Sequence, residues 1–201
     1  MEDTATGFEW LENGRGLRLF VRVWEPREGT QLQAVLVVVH GFSWHSVYFS
    51  ELASQAAQQG IEVVAFDLQG HGRSEALGGM RGYARRMADL CADAAQVLDW
   101  ARRRRPAVPA FLAGESMDGT IVLRLLQLQP DLQRQLAGLV LLGPVVRVSA
   151  AVLPPAPVVW VLRLLARLFP TLPVPDDSIR QGFERAFGDQ EFAARAKQAG
   201  G

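Results

Sequence analysis

A chain of 201 residues, 49% of them apolar, is long enough to bury the core of one substantial α/β domain and too apolar to be disordered. Its 21 Lys and Arg equal its 21 Asp and Glu, so there is no electrostatic case for nucleic acid. The single Cys91 excludes an intrachain disulfide, Met1-Glu2-Asp3 opens no signal peptide, and the longest uncharged stretches are broken by polar residues or proline, so a cytoplasmic protein is expected.

Gly7 to Leu11 and Leu17 to Glu25 flank Asn13-Gly14-Arg15-Gly16, a strong hairpin signal. In the second run Leu17, Leu19, Val21 and Val23 lie opposite Arg18 and Arg22, the period of a half-buried strand. Ala34 to Val39 is uninterrupted and mostly valine, as expected of a strand covered on both faces. It runs into His40-Gly41-Phe42-Ser43-Trp44-His45-Ser46, a loop at a strand's carboxyl end, where open α/β sheets place their ligands. Phe49, Leu52, Ala53 and Ala56 mark a helix closed by Gly60, and Ile61 to Phe66 is the next buried strand. Asp67 then opens the loop Gly70-His71-Gly72-Arg73-Ser74, which lacks the spacing and Lys of a phosphate cradle.

Met87, Leu90, Cys91, Ala94, Leu98 and Ala101 predict a long amphipathic helix, with Cys91 in the core and Arg102 to Arg105 as its solvated, dipole-complementing end. Ala110 to Ala113 reads as a strand, Ile121 to Leu128 as a helix ended by Pro130, and Gly138 to Leu142 as another buried strand. Strands alternating with helices at this spacing imply right-handed crossovers and a mainly parallel sheet, assigned to residues 1–147. Beyond it prolines cluster and strand signals stop. Val158 to Phe169 predicts a helix whose polar stripe is Arg163 and Arg167, and Asp177 or Ser178 caps another carrying Ile179, Phe183 and Phe187. Residues 148–201 are read as a partial helical cap, with three readings open: a lid, a membrane-facing surface, or core helices whose partner elements lie elsewhere.

The chain is organised around Leu112-Ala113-Gly114-Glu115-Ser116-Met117-Asp118-Gly119, a small-residue turn between a strand and a helix. In such an elbow a serine is strained and lifted above the sheet edge, and the next backbone N–H, that of Met117, faces a developing oxyanion. The competing reading is a serine N-cap in a glycine-containing turn. His40 and His45 share a loop without a third ligand at metal spacing, so neither a metal nor a cofactor is expected.

His40-Gly41-Phe42 with His45-Ser46, Asp67 with Gly70-His71-Gly72-Arg73-Ser74, and Gly114-Glu115-Ser116-Met117 agree in order and spacing. Together they resemble the α/β-hydrolase superfamily, and within it the monoacylglycerol lipase and lysophospholipase-like group, the serine aminopeptidase S33 or hydrolase-4 family. The resemblance implies an α/β-hydrolase fold, with a mainly parallel sheet, an N-terminal antiparallel hairpin, the start of a helical cap, and the C-terminal strands absent. It implies Ser116 as nucleophile, the N–H groups of Phe42 and Met117 as oxyanion donors, His40 and His71 as loop-shaping residues, and a small acyl ester such as monoacylglycerol as substrate. Peripheral membrane contact through the cap is a further expectation, and the oligomeric state stays open.

Two departures from the family pattern stand out. Asp118 occupies the position where the pattern has glycine; its carboxylate either crowds Ser116 or turns outward to the helix N-terminus. His71 is the last histidine, whereas the superfamily order is Ser, then Asp or Glu, then His, so no triad acid or base is assigned in this chain. The expectation is a shortened hydrolase of low activity, the competing reading a non-catalytic hydrolase-fold protein that binds lipid or a partner. A dehalogenase or epoxide hydrolase would need a carboxylate where Ser116 stands.

Overall fold

The computed structural model describes residues 2–41, 44–146 and 154–172. The chain divides between Val145 and Val146 into two units. The first holds a six-stranded sheet of β1 (Gly7–Glu12), β2 (Arg18–Trp24), β3 (Ala34–Val39), β4 (Ile61–Phe66), β5 (Ala110–Glu115) and β6 (Gly138–Leu142), in the order β1-β2-β4-β3-β5-β6. The Asn13 turn joins β1 and β2 as an antiparallel hairpin, and β2 runs antiparallel to β4. The pairings β4 with β3, β3 with β5 and β5 with β6 are all parallel.

The helices are α1 (Ser50–Gln58), α2 (Met87–Arg104), α3 (Met117–Leu128) and the short α4 (Pro130–Gln133). Strand alternation sorts them onto two faces. Val35, Val37 and Val39 join Leu112 against the apolar sides of α2 and α3, while Val38, Ala65 and Ala113 face α1 through Ala53 and Ala57. Each fully buried Val or Leu is worth about 1.5–3 kcal/mol, so the valine run of β3, covered on both faces, anchors the sheet. Leu52 and Met87, expected on buried helix faces, are exposed. In α1 it is the small Ala53 and Ala57 that touch the sheet, which brings the helix close and leaves bulkier neighbours at the rim.

Three further expectations are corrected. Strand β2 is buried on both faces rather than half-buried, because Arg22 is sheathed: its guanidinium pairs with Asp3 at 2.8 Å and Asp67 at 3.3 Å and donates to the Ser46 hydroxyl at 2.5 Å. The run Arg102 to Arg105 is not simply a solvated end. Arg105 pairs with fully buried Glu62 of β4 at 2.6 Å, and Arg104 and Arg105 both hold Glu25, at 2.9 and 2.8 Å. Strand β6, expected to be buried, is an edge strand: Leu139, Val140 and Leu142 are 39%, 43% and 48% exposed. Among the described residues no strand pairs with its outer side.

The described part of the second unit carries α5 (Ala156–Leu168), none of whose residues is buried. The expected helix with Ile179, Phe183 and Phe187 lies outside the described residues. No described helix is long and apolar enough to cross a membrane.

Candidate active site

The sheet order places a switch point between β3 and β5. From β3 the chain turns to α1 and β4 on one side, and from β5 to α3 and β6 on the other, so their carboxyl ends open a crevice. Gly41 ends the described chain after β3, and Ser116 follows β5. A Cβ built on Gly41 would stand 4.0 Å from the Ser116 Cβ, so the two loops meet at this crevice.

Ser116 is exposed and has φ 53°, ψ −121°, and is the one non-glycine residue with positive φ among those described. An L-residue adopts this conformation only when its surroundings enforce it. The enforcement is visible. The Ser116 N–H donates to the Leu142 carbonyl at 2.9 Å, the Val145 N–H donates to the Ser116 carbonyl at 3.1 Å, and the Thr120 hydroxyl donates to the Val145 carbonyl at 2.6 Å. The chain leaving β6 therefore clamps the elbow from both ends. Glycines give it room: a Cβ on Gly114 would lie 2.7 Å from the Asp118 carbonyl oxygen, and one on Gly119 would lie 2.6 Å from the Pro144 Cβ.

The N-cap reading of Ser116 is overturned. Its side chain makes no capping hydrogen bond, and its backbone is not in the extended region that N-caps occupy. Met117 opens α3, where the first N–H groups of a helix lack intrahelical partners. Phe42, the other expected donor, lies outside the described residues.

The supporting loops are tied together by His40 and Asp67. His40 is fully buried; its Nε2 accepts the Leu68 N–H at 2.8 Å, so Nδ1 carries the hydrogen and donates to the Gly41 carbonyl at 2.8 Å. Burial, with the neighbouring His71 charge, lowers its pKa to about 3. Both ring nitrogens are engaged in shaping the loop after β3. Asp67 is the deeper anchor. Its carboxylate accepts the Ser46 N–H and hydroxyl at 2.7 and 2.5 Å and the Arg73 N–H at 2.7 Å, with Arg22 alongside. Burial pushes the Asp67 carboxyl up, but the Arg73 N–H, the Ser46 groups and Arg22 outweigh it and hold it below its ordinary value. A Cβ at Gly72, φ 46°, would run into that carboxylate. The role of Arg22 was hidden in sequence, because an arginine in an alternating strand reads as a solvated one.

Asp118 turns inward. It is 0% exposed, both carboxyl oxygens lack a hydrogen-bond partner, and Oδ2 lies 3.8 Å from a Cβ built on Gly41. Burial, with Glu115 adding its charge, raises its pKa to about 8. Among the described residues no group of three His, Cys, Asp or Glu stands ready to hold a metal. A cavity of about 570 Å³ opens at the opposite ends of β5 and β6, but its arginines are already paired, Arg102 with Gln135, Arg103 with Asp99 and Arg134 with Asp131.

A family model for serine aminopeptidase, S33 matches residues 30–198. The chain belongs to the serine aminopeptidase S33 family. Within this family setting it is 31% identical over 159 residues to a monoacylglycerol lipase of Mycolicibacterium smegmatis, covering 79% of this chain and 53% of that protein. It is 35% identical over 136 residues to a monoglyceride lipase of Homo sapiens, covering 68% of this chain and 42% of that one. The S33 chain thus spans about half the length of the curated relatives it matches. A soluble variant of monoglyceride lipase from Saccharomyces cerevisiae superposes with a TM-score of 0.70 at 22% identity, over 84% of this chain and 55% of that structure. The fold is that of an α/β-hydrolase.

Proposed function

We propose that these residues form the nucleophile half of a carboxylic ester hydrolase acting on single-chain acyl esters such as monoacylglycerols. The observation that carries this reading is the exposed Ser116, clamped at positive φ at the carboxyl end of β5. Strain of about 1–3 kcal/mol at one residue persists where function uses it. In this reading Ser116 attacks the acyl carbonyl, the N–H groups of Met117 and Phe42 hold the oxyanion, and water releases the acid in a second step, with no cofactor. Each oxyanion donor is worth about 2.7–4 kcal/mol in such sites. The lipase names of the relatives support the substrate class.

Attack also needs a proton acceptor. The chain has three histidines, His40, His45 and His71, and both ring nitrogens of the first are spent on its loop. Loss of a triad histidine costs about 10⁶-fold in kcat, so turnover by these 201 residues alone is expected to be slow. Exposed Trp160, Leu162, Leu168 and Phe169 around α5, beside Arg163 and Arg167, support peripheral contact with a membrane surface. The lone buried Cys91 supports a cytoplasmic site.

The test is prolonged labelling with a fluorophosphonate probe, read by intact mass beside a Ser116→Ala control, together with an aryl-ester assay. Ser116-dependent labelling with slow ester turnover is the expected result. Folded protein whose mass is unchanged, like the control's, would sink the hydrolase reading. It would favour the second one, a non-catalytic hydrolase fold that binds acyl lipid, which the buried Asp118 carboxyl beside Ser116 supports.

A further inference from the structure

Asp118 is the one buried group of the elbow that the proposed chemistry leaves unused. Its carboxyl is fully enclosed, and neither oxygen has a hydrogen-bond partner. An ionised carboxylate in such a place is costly unless it is paired. No cation among the described residues pairs with it. From β5 it is faced by half-buried Glu115, a like charge. From the loop after β3 it is faced by Gly41, with His40 beside that residue and neutral. Among the described residues the chain leaving β6 brings uncharged Pro144, packed against the adjoining Gly119. The N-terminal end of α3 is the single element that favours negative charge there.

We propose that Asp118 is a positioning residue whose neutral carboxyl keeps the Gly41 turn packed against Ser116, and whose ionisation loosens that turn. Gly41, which has no side chain, lies against Oδ2, so water that hydrates an ionised Asp118 from this side displaces the turn. Near neutral pH the carboxyl stays largely protonated, since its pKa stands at about 8. The sign follows from linkage. A loosened, hydrated turn returns Asp118 toward its ordinary value of 3.8, so rising pH favours loosening by up to about tenfold per pH unit between those two values and no further above 8. The catalytic consequence rests on the reading of Ser116 as nucleophile; the loosening itself does not.

The experiment is hydrogen exchange of the segment around residues 36–46 from pH 5.5 to 9.5, corrected for intrinsic rates, on the 201-residue chain and on Asp118→Asn and Asp118→Gly. Fluorophosphonate labelling of Ser116 is measured alongside. The expected result is exchange that climbs with pH in the wild type and levels off above pH 8, with flat profiles in both variants. Wild-type labelling, taken relative to Asp118→Asn, falls over the same range. Superimposable exchange profiles in all three proteins, or a flat wild-type profile, would overturn the proposal even if Ser116 labels normally. The expected exchange profiles without labelling at any pH would leave the positioning role in place and defeat the hydrolase reading instead.

Discussion

Ser116 adopts a backbone conformation that costs an ordinary residue free energy and costs glycine almost none. Its hydroxyl plays no part in holding that conformation, which is imposed by hydrogen bonds to Leu142 and Val145 and by the space at Gly114 and Gly119. Ser116→Gly therefore relieves the strain, and after the added chain entropy of glycine a gain of about 1 kcal/mol in unfolding free energy is expected by urea titration. Ser116→Ala keeps the Cβ and stays within about 0.5 kcal/mol of the wild type. Equal stabilities for the glycine and alanine variants would show that the elbow is unstrained. The elbow serine was legible in sequence from its small neighbours, whereas the fate of Asp118 was not: the same carboxylate fits an outward and an inward rotamer until Gly41 is known to lie opposite.

At the scale of elements, loops meet through charges buried far apart in sequence. Arg22 of β2, Ser46 after β3 and Asp67 after β4 form one knot that ties β2 to two loops at the same end of the sheet. At the other end Arg105, just past α2, reaches Glu62 of β4 and Glu25 after β2. Arg105→Ala leaves the fully buried Glu62 with Arg104 at 4.0 Å as its remaining cation. Breaking a fully buried pair costs about 3–5 kcal/mol; with Arg105 about a third exposed, a loss of about 2 kcal/mol is expected by thermal or urea unfolding. A loss under about 0.5 kcal/mol would mean that solvent already serves Glu62. Strand β3 was readable to the residue because an unbroken apolar run fits a strand covered on both faces, and β4 was readable because a single Glu62 leaves the rest of its run apolar. Arg22 and the arginine run were misread because a local pattern cannot display a partner more than forty residues away.

For the molecule as a whole, the sheet is well covered from β2 to β5 and open at β6. Val140 and Leu142 lie on the α1 side of the sheet, 43% and 48% exposed, and among the described residues no strand pairs with the outer edge of β6. An apolar open edge is a template for pairing with another chain. Concentration-dependent self-association of the 201-residue chain is therefore expected by sedimentation velocity, reduced in a Val140→Lys, Leu142→Lys double variant whose charges oppose edge pairing. Identical sedimentation of the two proteins would show that this edge is not the contact.

The sequence by itself determined the alternation of strands and helices, the hairpin, the loops at three strand ends and the serine elbow between β5 and α3. Each of these is written within a window of about a dozen residues by periodicity or turn chemistry. Only the tertiary structure decided that β2 is buried on both faces, that β6 is an edge, that His40 is consumed by its own loop, and that Asp118 faces Gly41 from inside. Those outcomes turn on which distant residue covers a polar group, and burial of that kind is a property of the assembled sheet rather than of any one segment.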